Sequence, residues 1–173
     1  MIEDHDGSPV EGALERPGAR VLVLEPGGRV LLFRSTTAAG MWLWFPPGGG
    51  VEEGESYEDA ARRELWEETG RQDPLGPCVW TRDSTFYWTS VGGMVRGLER
   101  YYLARVDAPF DPRPQQIGAD EAYMRQDGWF HWWSAEEIAD NAAFEVFVPR
   151  RLHELLPPLI AGDLPPAPFE VGP

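Results

Sequence analysis

The sequence predicts one α/β domain, and three observations predict it. Two apolar runs, Arg20 to Glu25 (RVLVLE) and Arg29 to Arg34 (RVLLFR), flank a Pro26-Gly27-Gly28 turn signal and read as a hairpin. Ser56 to Thr69 carries start and stop signals for a helix. Two further β-rich runs, Cys78 to Thr89 and Met94 to Val106, meet near Gly92-Gly93 and read as a second hairpin.

The elements follow in order along the chain. Residues 1–17 are polar and acidic and read as a loose arm. Met41 to Phe45 (MWLWF) is a short apolar run stopped by Pro46 and Pro47, with three glycines after it. Ser56 is placed to cap the next helix, with Asp59 three residues on; acidic residues crowd its first turn, where the helix dipole favours them, and Gly70 is a natural C-terminal stop. Asp107 to Asp127 is polar, holds three prolines and reads as a long loop. Gly128 to Trp133 reads as a strand, Ser134 to Ala139 as a capped helix start, and Phe144 to Leu156 as a final helix. Residues 157–173 carry six prolines and read as an irregular tail. The domain is therefore expected over residues 18–156, between the arm and the tail.

Composition narrows the function. The formal net charge is −14, which repels polymeric phosphate backbones but not a small phosphorylated molecule with a divalent cation between it and the protein. Every basic residue is Arg, so Schiff-base chemistry and a P-loop lysine are excluded. The one cysteine, Cys78, excludes an intramolecular disulfide and a cysteine-based zinc site. His5, His131 and His153 are too scattered for zinc spacing. The N-terminal residues lack the apolar core of a secretory leader, and no apolar run reaches the roughly 20 residues of a membrane span, so the cytosol is the expected location.

The chemistry concentrates in Gly48 to Arg71, GGGVEEGESYEDAARRELWEETGR. A glycine-rich segment lets backbone approach a ligand closely. Glu64, Glu67 and Glu68, spaced i, i+3, i+4, fall on one helical face, where like charges repel by about 0.2–0.5 kcal/mol per pair. Solvent can screen that repulsion; a hard divalent cation can remove it by coordination. Helical charge alone leaves both open.

The same stretch resembles the Nudix box, G-x5-E-x7-R-E-U-x-E-E-x-G-U, with U a bulky aliphatic residue. Gly49, Glu55, Arg63, Glu64, Leu65, Glu67, Glu68 and Gly70 fill eight of its nine specified positions; Arg71 stands where the last U belongs. The short strand and prolines before Gly48 and the late segment Trp129 to Ile138 resemble the flanks of that family.

The resemblance implies an α/β/α sandwich with a mixed central sheet. It also implies a hydrolase, requiring Mg²⁺ or Mn²⁺, that uses water to cleave a diphosphate linkage in a nucleoside diphosphate derivative. Residue by residue, Glu67 and Glu68 would be metal ligands and Glu64 a ligand or the general base. Arg63 would hold the glutamates, and Glu55 would support the loop by bonding Arg63 or backbone. A backbone carbonyl at Gly48 or Gly49 would join the coordination, with Glu52 as a further candidate. A carboxylate from a later loop is common in the family; Glu121 is the choice here and Asp120 the alternative.

Substrate choice in this family lies outside the box. Tyr87, Trp88 and Arg34 are the candidate substrate contacts, with Arg82, Arg96 and Arg100 as further cations for phosphate. Nucleoside triphosphates, nucleotide sugars, ADP-ribose and dinucleoside polyphosphates all stay open. The partner expected is a small nucleotide-like molecule, with no nucleic-acid polymer and no membrane; a homodimer is compatible. The competing reading is a non-catalytic nucleotide-sensing module on the same fold, but such modules usually lose box glutamates, and Glu64, Glu67 and Glu68 are all present.

Overall fold

The computed structural model describes residues 2–4, 11–37, 39–88, 91–118 and 121–172. Its strands are β1 (Ile2–Asp4), β2 (Leu14–Leu24), β3 (Val30–Thr36), β4 (Trp42–Phe45), β5 (Gly48–Gly50), β6 (Leu75–Trp88), β7 (Gly93–Arg105), β8 (Phe130–Trp133), β9 (Val146–Phe147) and β10 (Phe169–Glu170). Its helices are α1 (Tyr57–Thr69), α2 (Ala135–Asn141) and α3 (Leu152–Ala161), with a 3₁₀ turn at Ala122–Arg125. The strands form one mixed sheet in the order β1-β6-β7-β2-β3-β4-β9, with β5 on β2, β8 on β3 and β10 on β6. β2 runs parallel to β7 and antiparallel to β3 and β5.

The two-residue alternation of strands explains the layering. From β2, Ala19, Val21 and Val23 face α1 and pack with Ala60, Ala61 and Leu65. Leu22 and Leu24 face the other way and pack with Trp80, Trp133, Ile138, Leu152, Leu156 and Leu159 under α2 and α3. Helices therefore cover both faces of a mixed sheet, the α/β/α arrangement expected. No helix among the described residues is long and apolar enough to cross a membrane.

Three boundaries differ from expectation. The arm 1–17 is not uniformly loose: Ile2–Asp4 pairs with β6, and β2 begins at Leu14, opposite Val95 of β7. Backbone pairing orders this stretch without apolar alternation, since Leu14 is 58% exposed. The expected helix from Phe144 to Leu156 is split, with Val146 and Phe147 in β9 and the helix starting at Leu152. It then runs through Pro157 and Pro158 to Ala161. Leu152, Leu156 and Leu159, spaced along one helical face, are buried, and that packing outweighs the two missing amide donors. The expected irregular tail also contains β10, which pairs in parallel with Trp80 and Thr81. His5 lies outside the described residues.

Candidate metal centre

The site forms where α1 meets β5. Ser56 caps α1, its side chain accepting from Asp59 N at 3.1 Å; Asp59 does not return a bond to backbone but accepts from the Ser56 hydroxyl at 2.7 Å. Gly70 ends the helix in the left-handed region, at φ 73°, and its N–H donates to Trp66 O.

At 3.6 residues per turn, Glu64 and Glu68 point in nearly the same direction and Glu67 falls to one side. The structure separates them accordingly. Glu64, Glu68 and Glu121 each offer an oxygen within 4.8 Å of the others. Glu67 lies outside this group, accepting from Arg63 Nη1 at 3.1 Å and Gln116 Nε2 at 3.2 Å. Glu64 and Glu68 are buried and Glu121 is half-buried. Glu121 enters just before the 3₁₀ turn and accepts from Gly118 N. Asp120 is outside the described residues.

Burial raises the Glu64 carboxyl above its usual range, against the nearby Arg63 and Arg20 guanidiniums. Burial, with the neighbouring Glu64 charge, raises Glu68 well above it. Three converging carboxylates, two of them desolvated, form an all-oxygen donor set that suits Mg²⁺ or Mn²⁺ and is costly without a cation.

β5 is built around these side chains. Gly48 N donates to Glu68 Oε2 at 2.6 Å, and Gly48 adopts φ 136°. A Cβ there would lie 2.1 Å from Ala19 O, so only glycine fits against β2. Gly48 O is taken by Arg20 Nη1 at 2.7 Å and Gly50 O by Arg63 Nη2 at 2.9 Å. Gly49, between them, lies against the Glu64 carboxylate.

Arg63 joins loop and helix. It donates to both Glu55 oxygens at 3.0 Å, to Glu64 at 2.8 Å, to Glu67 and to Gly50 O. Glu55 also accepts from Glu52 N at 3.0 Å, so it meets both Arg63 and backbone. Its carboxyl is held below the usual range, chiefly by the Arg63 hydrogen bonds.

Beside the carboxylates opens a cleft of about 380 Å³, whose lining includes Arg16, Glu52, Glu64, Glu67, Gln116 and Glu121. Glu52 thus lines the cleft without joining the three-carboxylate group. Of the candidate substrate contacts, Trp88 stacks with a residue of the cleft lining, the Arg16 guanidinium lying 4.0 Å from its ring centroid. Tyr87 sits in β6 opposite Glu3 of β1. Arg34 is engaged elsewhere: it stacks 4.1 Å from the Trp42 centroid and donates to Asp127 O at 2.7 Å. Arg96 pairs with Asp83 and Glu15, and Arg100 stacks 4.2 Å from the Tyr57 centroid. Arg71, the departure from the box, pairs with Asp73 at 2.6 Å and lies 4.8 Å from the Phe110 centroid, so a stacked guanidinium packs where an aliphatic side chain was expected.

Sequence reasoning missed two features. Tyr123 OH reaches Glu68 Oε1 at 3.4 Å. Arg20, Glu99, Arg82 and Tyr101 form a partly buried network behind β5. The available signal was a charged residue inside an apolar strand, in RVLVLE and again in ERYYLAR, but nothing local pairs Arg20 with a residue 79 positions away.

The NUDIX domain family model matches residues 14–154. An RNA pyrophosphohydrolase of Caulobacter vibrioides is 53% identical over 55 residues, covering 32% of this chain and 32% of that protein. An m7GpppN-mRNA hydrolase of Homo sapiens is 28% identical over 165 residues, covering 87% of this chain and 45% of that protein. The chain thus spans less than half the length of these relatives. Among solved structures, the MutT protein from Methanosarcina mazei Go1 superposes with a TM-score of 0.59 at 23% identity, over 85% of this chain and 96% of that one, a likeness of fold.

Proposed function

The chain belongs to the Nudix family, and from that premise we propose that it is a divalent-metal-dependent hydrolase cleaving the phosphoanhydride linkage of a nucleoside diphosphate derivative. The observation that carries this reading is the convergence of Glu64, Glu68 and Glu121 within 4.8 Å, against a glycine that leaves them room.

Glu64, Glu68 and Glu121 would hold Mg²⁺ or Mn²⁺, with the Gly49 backbone beside them. When bound, the ion supplies neutralisation of phosphate charge and polarisation of the bond to be broken. The protein's own groups do the rest. Arg63 fixes Glu64, Glu67 and the Gly50 carbonyl in one frame, and Glu55 fixes Arg63. Glu64 would serve either as a ligand to that ion or as the carboxylate that accepts the proton of the attacking water. Glu67, which lines the cleft and accepts from Arg63 and Gln116, would be a further candidate ligand. Positioning and field, not a covalent intermediate, then carry the reaction.

The substrate proposed is a small nucleotide-like molecule, in keeping with the −14 net charge and the size of the cleft. The names of the relatives, an RNA pyrophosphohydrolase and an m7GpppN-mRNA hydrolase, add RNA to the compounds worth testing. The experiment incubates the purified protein with nucleoside triphosphates, dinucleoside polyphosphates, nucleotide sugars, ADP-ribose and a 5′-triphosphorylated oligoribonucleotide. Each is run with and without Mg²⁺ or Mn²⁺, and products are resolved by chromatography. Metal-dependent cleavage is expected, and the products identify the bond attacked. Tight nucleotide binding without cleavage of any compound would replace the hydrolase by the sensing module.

A further inference from the structure

The glycine strand is anchored from behind as well as from α1. Arg20, on β2, has a side chain 22% exposed and donates in two directions: Nη1 to Gly48 O at 2.7 Å and Nε to Glu99 Oε1 at 2.8 Å. Glu99, on β7 and 8% exposed, accepts on its other oxygen from Arg82 Nη1 at 2.9 Å and Tyr101 OH at 3.0 Å. β6, β7 and β2 are adjacent in the sheet, so this trio of charges bridges three strands. An ion trio built on a buried carboxylate is a weak source of net stability compared with apolar packing, so its place behind the glycine strand asks for another explanation.

Gly48 supplies it. Its carbonyl is held by Arg20 and its amide by Glu68, so the residue is fixed from both sides of β5. The next residue, Gly49, lies against the Glu64 carboxylate, which fills the space a Cβ there would need. A small shift of β5 would therefore disturb two members of the three-carboxylate group together. We infer that Arg20 is a positioning residue for the metal site. Glu99 holds its guanidinium, while Arg82 meets only the far oxygen of Glu99, and the guanidinium holds Gly48 so that β5 presents a fixed surface to Glu64 and Glu68. This inference rests on the metal-dependent reading of the site.

Geometry and charge are separable, because Lys keeps the cation but lacks the fork that reaches Glu99 and Gly48 O at once. The test compares Arg20→Lys with Arg82→Gln, which removes a partner of Glu99 and leaves the bond to Gly48 in place. In the metal-free proteins, amide hydrogen exchange over residues 48–51 is followed by mass spectrometry, and Mn²⁺ affinity is measured by calorimetry. Arg20→Lys should exchange faster in that segment alone and bind Mn²⁺ about tenfold more weakly, the size typical for outer partners of metal ligands. Arg82→Gln should lower Tm while changing neither quantity more than twofold. Wild-type exchange and affinity in Arg20→Lys would overturn the inference, as would an Arg82→Gln protein that loosens residues 48–51 equally. Should Arg20→Lys not fold, Arg20→Gln is judged by the same two readouts. A wild-type protein that binds no Mn²⁺ would sink the functional reading, and the exchange comparison would still judge Arg20.

Discussion

The Glu64 carboxylate occupies the space a side chain on Gly49 would need: a Cβ there would lie 2.4 Å from Glu64 Oε1 and 2.7 Å from its Cδ. Gly49 has no positive φ, so the demand is for room and not for an unusual backbone. Gly49→Ala should leave the fold intact and push Glu64 out of the three-carboxylate group. A displacement near 1 Å costs about 100-fold in rate. Steady-state kinetics with Mn²⁺, beside a thermal melt, checks it; unchanged kcat would show that Glu64 is not needed where it stands.

Glu121 and Glu67 should part company. Glu121→Ala removes a member of the converging group and should weaken Mn²⁺ binding by at least the roughly 10–100-fold that outer partners of metal sites already command. Glu67→Gln can still accept from Arg63 and should cost less. Equal losses in the two variants, measured by calorimetry, would place Glu67 in the coordination on the same footing.

Metal should stabilise the fold. Bringing Glu64, Glu68 and Glu121 together opposes folding, and a cation removes that repulsion. At about 100 times its dissociation constant, a ligand that binds only the folded state adds about 2.7 kcal/mol, or about 5–10 °C in Tm for a chain of this length. EDTA should reverse the gain. A Tm indifferent to Mg²⁺ and Mn²⁺ would speak against an ion at these carboxylates.

Glu99 gives a pH dependence of definite sign. Burial would raise its pKa, but the Arg20 and Arg82 guanidiniums overcome burial and hold it down to about 2, from an ordinary value of 4.5. A carboxylate depressed by folding contributes stability above its unfolded pKa and loses it as pH falls through the folded one. The contribution, on the order of 3 kcal/mol, should therefore be full above pH 4.5 and vanish toward pH 2. Urea unfolding of wild type and Glu99→Gln across that range should show the gap between them narrowing as pH falls. A gap independent of pH would mean that the Glu99 charge does not stabilise the fold.

The features legible in the sequence were those written within one or two turns of chain. Ser56, Glu55, Arg63, Glu64 and Glu68 belong to one loop and helix, so their spacing encodes their relation directly. The β2–β3 hairpin was marked by its own turn. Spacing alone could not tell Glu67 from Glu68, because which flank of the helix meets β5 depends on how α1 seats on the sheet. Helical pattern also could not foresee that Leu152, Leu156 and Leu159 would carry Pro157 and Pro158 inside a helix. The Arg20–Glu99–Arg82 network was hidden because strand pairing, not sequence proximity, brings its members together.

The last turn of α1 receives the chain that leads to Glu121. Arg113 N donates to Thr69 O at 3.1 Å, and Gln115 N and Gln116 N donate to Glu67 O at 2.6 and 3.3 Å. The carbonyls a helix leaves without partners at its end here fasten a distant segment to it. Trp132 Nε1 donates to Phe110 O at 3.0 Å and fastens the chain earlier still. A lineage could then lengthen or shorten the exposed stretch between Val106 and Phe110 without moving Glu121, because the fastenings and not the loop's length set where that carboxylate arrives. Insertions should be tolerated before residue 110 and selected against between 110 and 121, dividing one long loop into a short freely evolving part and a longer constrained one.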